Sequence, residues 1–122
     1  MNEYYRYILD NLPGGLVSVD MTGKVIYINP MAGRILHFAD AAVCLDKKYS
    51  AAFRNFPALT GVIQEAISTG KTVRRTEISI MHADTPMQIG YSTMHVRNSE
   101  GKEMGVTVVF QDISFAGAKN NE

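Results

Sequence analysis

A Gly-Lys-Thr triplet, three histidines and one cysteine are the residues of this chain whose types could do chemistry. Gly70-Lys71-Thr72 has the ending of a phosphate-binding loop, in which backbone N–H groups and a lysine cradle phosphates. That loop needs a glycine at position 65, where this chain has Glu65. It also needs a strand before it and a helix after it, and the pattern here runs the other way. A helix cap followed by a strand explains the triplet. His37, His82 and His95 stand at spacings that match no zinc or metalloprotease motif, so no metal site is expected. Cys44 is alone, forms no intramolecular disulfide, and implies a reducing or redox-indifferent compartment. Its expected role is that of a small packing residue. No glycine-flanked serine elbow occurs. The chain is therefore expected to be non-catalytic.

The elements that position these residues draw on a globular composition. Of 122 residues, 46% are hydrophobic and 20% charged, and twelve Lys plus Arg balance twelve Asp plus Glu. This is enough apolar content for a core, so disorder is excluded. The balanced charge argues against a nucleic-acid binder or a polybasic membrane module. No apolar run approaches the ~20 residues of a membrane span. Met1 to Arg6 lacks the pattern of a signal peptide. A cytoplasmic location without direct membrane contact is expected, although a parent protein could be membrane-anchored.

Along the chain, Tyr5, Ile8, Leu9 and Leu12 share one face of a helix predicted over Asn2 to Leu12, capped by Asn2 and stopped by Pro13-Gly14-Gly15. Leu16 to Asp20 and Lys24 to Asn29 read as a β-hairpin around Asp20-Met21-Thr22-Gly23. Asn29-Pro30 starts the next helix, with Asn29 as N-cap. It carries Ala32, Ile35 and Leu36 inward, and His37 beside them. Ala39 to Phe56 is irregular, with one or two short helical turns. Pro57 to Thr69 is a helix with an apolar stripe through Leu59, Ile63 and Ile67, ended by Gly70. Three strands follow: Val73 to Met81, Met87 to Val96 and Gly105 to Phe110. Strands and helices do not alternate, which disfavours a parallel doubly wound sheet. The expected class is α+β: a five-stranded antiparallel sheet with helices on one face and an N-terminal flanking helix.

Alternation selects the inward side chains. These are Val17 and Val19, Val25 and Tyr27, and then Ile78, Ile80, Ile89, Tyr91, Val108 and Phe110 on the late strands. With Ala32, Ile35, Leu36, Leu59, Ile63 and Ile67 they form a candidate ligand pocket. Its lining is apolar, so a charged carboxylate is disfavoured and a small non-covalent apolar ligand fits best. A filled, ligand-free core is the alternative. The first helix has more apolar surface than one face can bury. Tyr5, Ile8, Leu9 and Leu12 are therefore a candidate homodimer interface, with Leu16, Thr107 and Val109 candidates for the sheet surface they meet. Asp112 followed two residues later by Ser114 can hydrogen-bond locally where a strand ends.

Three segments resemble the PAS family of sensory modules. Gly15 through Asn29-Pro30 resembles its opening hairpin and helix start. Gly90-Tyr91-Ser92-Thr93 through Gly101 resembles its fourth strand and turn. Gly105 through Gln111-Asp112-Ile113-Ser114 resembles its closing strand and Asp-Ile-Thr signature, with Ser114 in the threonine place. The resemblance implies residues 1–13 as a flanking helix, 14–114 as the sensory domain, and 115–122 as the start of an output linker. It implies sensing of a small apolar ligand or partner and relay through Asp112 and Ser114 to a C-terminal effector. A bacterial histidine kinase of a two-component system is the expected effector. The family's haem-binding members resemble one another in a histidine on the long helix, and Pro57 to Thr69 has none. Its light-sensing members hold a cysteine in Asn-Cys-Arg-Phe-Leu-Gln, whereas Cys44 lies in Ala42-Val43-Cys44-Leu45-Asp46. No cofactor is expected. A haem- or flavin-bearing sensor and a ligand-free dimerisation module are the alternatives.

Overall fold

The computed structural model describes residues 3–114. Its elements are α1 (Glu3–Asp10), β1 (Gly15–Asp20), β2 (Val25–Ile28), α2 (Pro30–Ile35), a 3-10 turn (Ala41–Cys44), α3 (Tyr49–Ala52), α4 (Pro57–Thr69), β3 (Thr76–His82), β4 (Thr85–Arg97) and β5 (Glu103–Asp112). The five strands form one antiparallel sheet in the order β2-β1-β5-β4-β3. The closing strand β5 thus lies in the centre, between β1 and β4. Helix α2 packs on β1 and β5, and α4 on β3 and β5. A core of Val17, Val19, Leu36, Leu59, Ile63, Ile80, Ile89, Val106, Val108 and Phe110 lies between these helices and the sheet.

Local chemistry explains most element boundaries. The Asp20 carboxylate accepts hydrogen bonds from the N–H groups of Thr22 and Lys24, each at 2.9 Å, and from the Thr22 hydroxyl at 2.6 Å. Gly23 closes that turn at φ 89°, in the left-handed region. Asn29 caps α2, its Oδ1 accepting from the Ala32 N–H at 2.9 Å. Gly70 ends α4 at φ 68°. The expected cap at Asn2 lies outside the described residues, as does the expected linker 115–122. Leu12 falls beyond α1, which stops at Asp10.

All three late strands differ from expectation. Strand β3 starts at Thr76 rather than Val73, because Arg75 has a φ of 49° that breaks extended backbone. Strands β4 and β5 are longer than their apolar patterns, since their mutual pairing runs on to Arg97↔Glu103 and Ile89↔Asp112. His37 lies past the end of α2 rather than on it, at φ 60°, and its ring stacks on His82 with centroids 3.9 Å apart.

Candidate functional site

Most of the sixteen expected pocket residues meet on the inner face of the sheet. Val17, Val19, Val25, Ala32, Leu36, Leu59, Ile63, Ile80, Ile89, Val108 and Phe110 are buried in one cluster. Ile35, Ile67, Ile78 and Tyr91 pack against it from its half-buried margin. The Tyr91 hydroxyl is pushed above its ordinary pKa by burial and then by the charge of Glu65 on α4. Phe53 and Phe56, from the irregular segment, also fill the space under the helices; Phe53 is 0% exposed.

Tyr27 is a correction. In the β1–β2 pairing, Val25 opposes Val19 but Tyr27 opposes Ser18, so Ile26 is an extra residue. This β-bulge breaks the period of two. Val25 and Ile28 therefore face the core, three positions apart, while Tyr27 turns to the other face of the sheet with its partner Ser18. Ile26 is left 52% exposed. On its new face the Tyr27 hydroxyl donates to the Asp10 carboxylate at the end of α1. Burial, then that hydrogen bond, pushes the hydroxyl well above the ordinary tyrosine range. Asn29 makes a second anchor. Its amide donates to the carbonyls of Leu9 at 3.2 Å and Gly14 at 2.9 Å, and its Oδ1 also accepts from the Leu16 N–H at 2.9 Å. One buried side chain thus joins α1, β1 and α2.

Anchored at its C-terminal end, α1 buries none of its own residues. Tyr4, Tyr5, Tyr7 and Ile8 are exposed, and Leu9 and Leu12 are half-buried. Leu16 and Thr107 are a further correction: they are already buried within one chain, at 7% and 3% exposure, and are not free to meet a second copy. Val109 is half-buried and accessible. It lines a groove of about 490 Å³ with Leu12, Arg75, Glu77, Ser92 and Ile113.

The exit follows directly from the central strand. The Ser114 N–H donates to the Asp112 carboxylate at 2.9 Å, closing a local cap. The same turn is fastened to β4 twice: the Ile113 N–H donates to the Gln88 carbonyl, and the Gln88 N–H to the Ser114 hydroxyl, each at 2.8 Å. Gln88 adjoins Ile89, whose side chain is in the core. Gln88 escapes sequence reasoning because its role uses only its backbone. Among the described residues, no three His, Cys, Asp or Glu side chains are grouped to hold a metal ion. Cys44 is buried, and that burial pushes its thiol pKa up, away from the reactive thiolate. No described helix is long and apolar enough to cross a membrane.

A family model for the PAS fold matches residues 3–113. The chain belongs to the PAS family. This PAS domain is 25% identical over 107 residues to the signal transduction histidine-protein kinase AtoS of Escherichia coli (strain K12). The match covers 88% of this chain and 17% of that kinase, so the chain spans about a sixth of the relative's length. The PAS domain of Bordetella pertussis BvgS superposes with a TM-score of 0.71 at 18% identity, covering 98% of this chain and 97% of that one. A PAS domain from Colwellia psychrerythraea gives 0.68 at 14% identity, covering 93% and 97%. These likenesses show the same five-stranded sheet and helices.

Proposed function

We propose that this PAS domain is a signal relay that carries a change in its apolar core, or at α1, through the Asp112-Ile113-Ser114 exit to an effector, a histidine kinase in the favoured reading. The observation that carries the reading is the double tie of the exit to Gln88, one residue from the core residue Ile89. A shift of β4 moves the exit backbone with it. A small apolar ligand or a partner is the input, because the buried cluster on the inner face is apolar among the described residues and suits a charged ligand poorly. No haem or flavin is required: α4 has no histidine, and the Cys44 thiol is suppressed. A symmetric dimer is the working assembly, with Tyr5 and Ile8 of α1, flanked by Leu9 and Leu12, set against the Val109 groove of a second copy.

The test replaces the matching region of AtoS with this domain and reads autophosphorylation. Asp112→Asn keeps the shape of the cap but weakens its charge-assisted hydrogen bond. The chimera is expected to fold normally and to change its kinase activity. Unchanged activity with intact folding reduces Asp112 to a helix cap. Analytical ultracentrifugation of Tyr5→Glu with Ile8→Glu tests the assembly, and an undiminished dimer contradicts the role given to α1.

A further inference from the structure

The sheet has two outer edges, β2 and β3, and the chain itself closes the first. Along β2, the Val25 N–H donates to the Lys47 carbonyl at 2.8 Å and the Asp46 N–H to the Val25 carbonyl at 2.9 Å. Strand β3 has no such cover: among the described residues, its backbone pairs with β4 alone. Two bonds fix which of its groups are left over. The Gln88 carbonyl accepts from the Ile113 N–H, so the even-numbered residues of β4 turn their backbone groups toward β5. The odd-numbered ones turn toward β3, as the bond from the Thr93 N–H to the Val73 carbonyl shows. Tyr91, Ile89 and Met87 oppose Thr76, Ile78 and Ile80. The N–H and C=O groups of Glu77, Ser79 and Met81 therefore point outward along the free edge, and all of these residues are exposed. Natural sheets guard such an edge with lysine, proline, a bulge or a covering segment. Thr76 to His82 holds no lysine or proline, and its pairing with β4 runs without a shift.

We propose that β3 is a docking edge for a second copy of this chain, joined antiparallel about a two-fold axis at Ser79, so that two sheets become one. The free groups select the register. With Ser79 opposite Ser79 of the second copy, Glu77 falls opposite Met81, and every free donor of one copy meets a free acceptor of the other. Any other antiparallel register leaves some of them bare. On the face toward the core, half-buried Ile78 comes to lie beside Ile80 of the second copy and continues the apolar layer. On the other face Glu77 meets Met81, which is 53% exposed in the single chain, so no like charges oppose one another within the strand. Beyond the strand ends, the same register brings Arg74 and Arg75 toward Asp84 of the second copy, cations against an anion, and the two-fold axis repeats the arrangement. This edge lies across the sheet from Tyr27 and the end of α1 that it anchors. The pairing is separate from the α1 interface and does not rest on it.

The test is backbone amide exchange in the full chain at rising protein concentration. In a single chain the Ser79 N–H has no partner, so its exchange is fast and independent of concentration; in the pair it is protected. The rate at Ser79 should fall about fivefold from about 10 µM to about 1 mM protein, the change mass action gives for a dissociation constant of roughly 50 µM. Ser79→Pro removes the central donor without touching the β4 ladder, a place where an edge strand tolerates proline. The slowing at Glu77 and Met81 should then vanish while Ile78 and Ile80 stay protected. Should proline disturb those two, Arg74→Glu, exposed and outside the ladder, should weaken the slowing by setting an anion against Asp84. Tyr5→Glu with Ile8→Glu should leave it intact. A rate at Ser79 that ignores concentration overturns the assignment and leaves the edge to a foreign strand or to none. Slowing that survives the substitution at Ser79 or Arg74 overturns it too. So does slowing that is lost with the α1 substitutions, which would make it a product of that interface.

Discussion

Phe110 and Gly15 occupy one space between them, and a double substitution measures how tightly. The Phe110 ring reaches from the central strand across to β1 and α2. A methyl group at position 15 would lie 2.8 Å from Phe110 Cζ, 2.9 Å from Cε2 and 3.1 Å from Ala32 Cα. The first two atoms belong to a ring that fills its site, and the third to the backbone of α2. Gly15→Ala should therefore cost about 1–3 kcal/mol as overpacking. Phe110→Ala removes a side chain that is 2% exposed, and should cost about 3–5 kcal/mol in lost burial and cavity. In the double variant the methyl group added at position 15 enters the space the ring has left, so the first penalty largely disappears. Only its contact with Ala32 remains. Urea denaturation of the four proteins should then show a favourable coupling of about 1 kcal/mol or more. Additive losses would refute the shared space and the ring orientation on which it depends.

Tyr27→Phe should cost about 1 kcal/mol, since the lost hydrogen bond to Asp10 is charge-assisted but half-exposed. Its signature is faster tryptic cleavage at Arg6 with an unchanged core; equal cleavage rates would detach Tyr27 from the anchoring of α1. Gly105→Ala should exceed the ~1–3 kcal/mol of ordinary overpacking. Its added Cβ would run into the Val19 carbonyl oxygen, so the β1–β5 pairing must open, and a wild-type melting temperature would contradict that register. Asp20 has its pKa held below the ordinary value, first by the Thr22 hydroxyl and then by the Lys24 N–H. A lowered folded-state pKa gives stability that is present above about pH 4 and lost as pH falls below it. Asp20→Asn should flatten that acid limb in a pH series of melts, and an unchanged limb would assign it to other carboxylates.

Elements whose cause is local were legible in the sequence. Asn29-Pro30 marked the start of α2 because cap and ring act within one turn, and Gly70 marked the end of α4 for the same reason. Asp112 and Ser114 sit two residues apart and make the hydrogen bond that spacing suggests. What escaped depends on distant partners. The bulge at Ile26 arises in the pairing of β2 with β1, and it alone turns Tyr27 outward. Phe53 and Phe56 flank turns too short to show a period, so their place in the core is set by α4 and not by their own segment. The burial of Leu16 and Thr107 on the outer side of the sheet is likewise invisible to alternation, which separates two faces but does not say what covers each.

The most direct test of the relay is amide exchange at the exit while the core is altered. Ile89→Val removes one buried methyl group and should cost about 0.5–1.5 kcal/mol, leaving the fold intact. If β4 transmits the change, the Ile113 N–H, which donates to the Gln88 carbonyl, should exchange faster than the global loss of stability accounts for. The N–H groups of β1 paired with β5 should follow the global change alone. Exchange at Ile113 that matches β1 would contradict the claim that the exit is coupled to the core through β4.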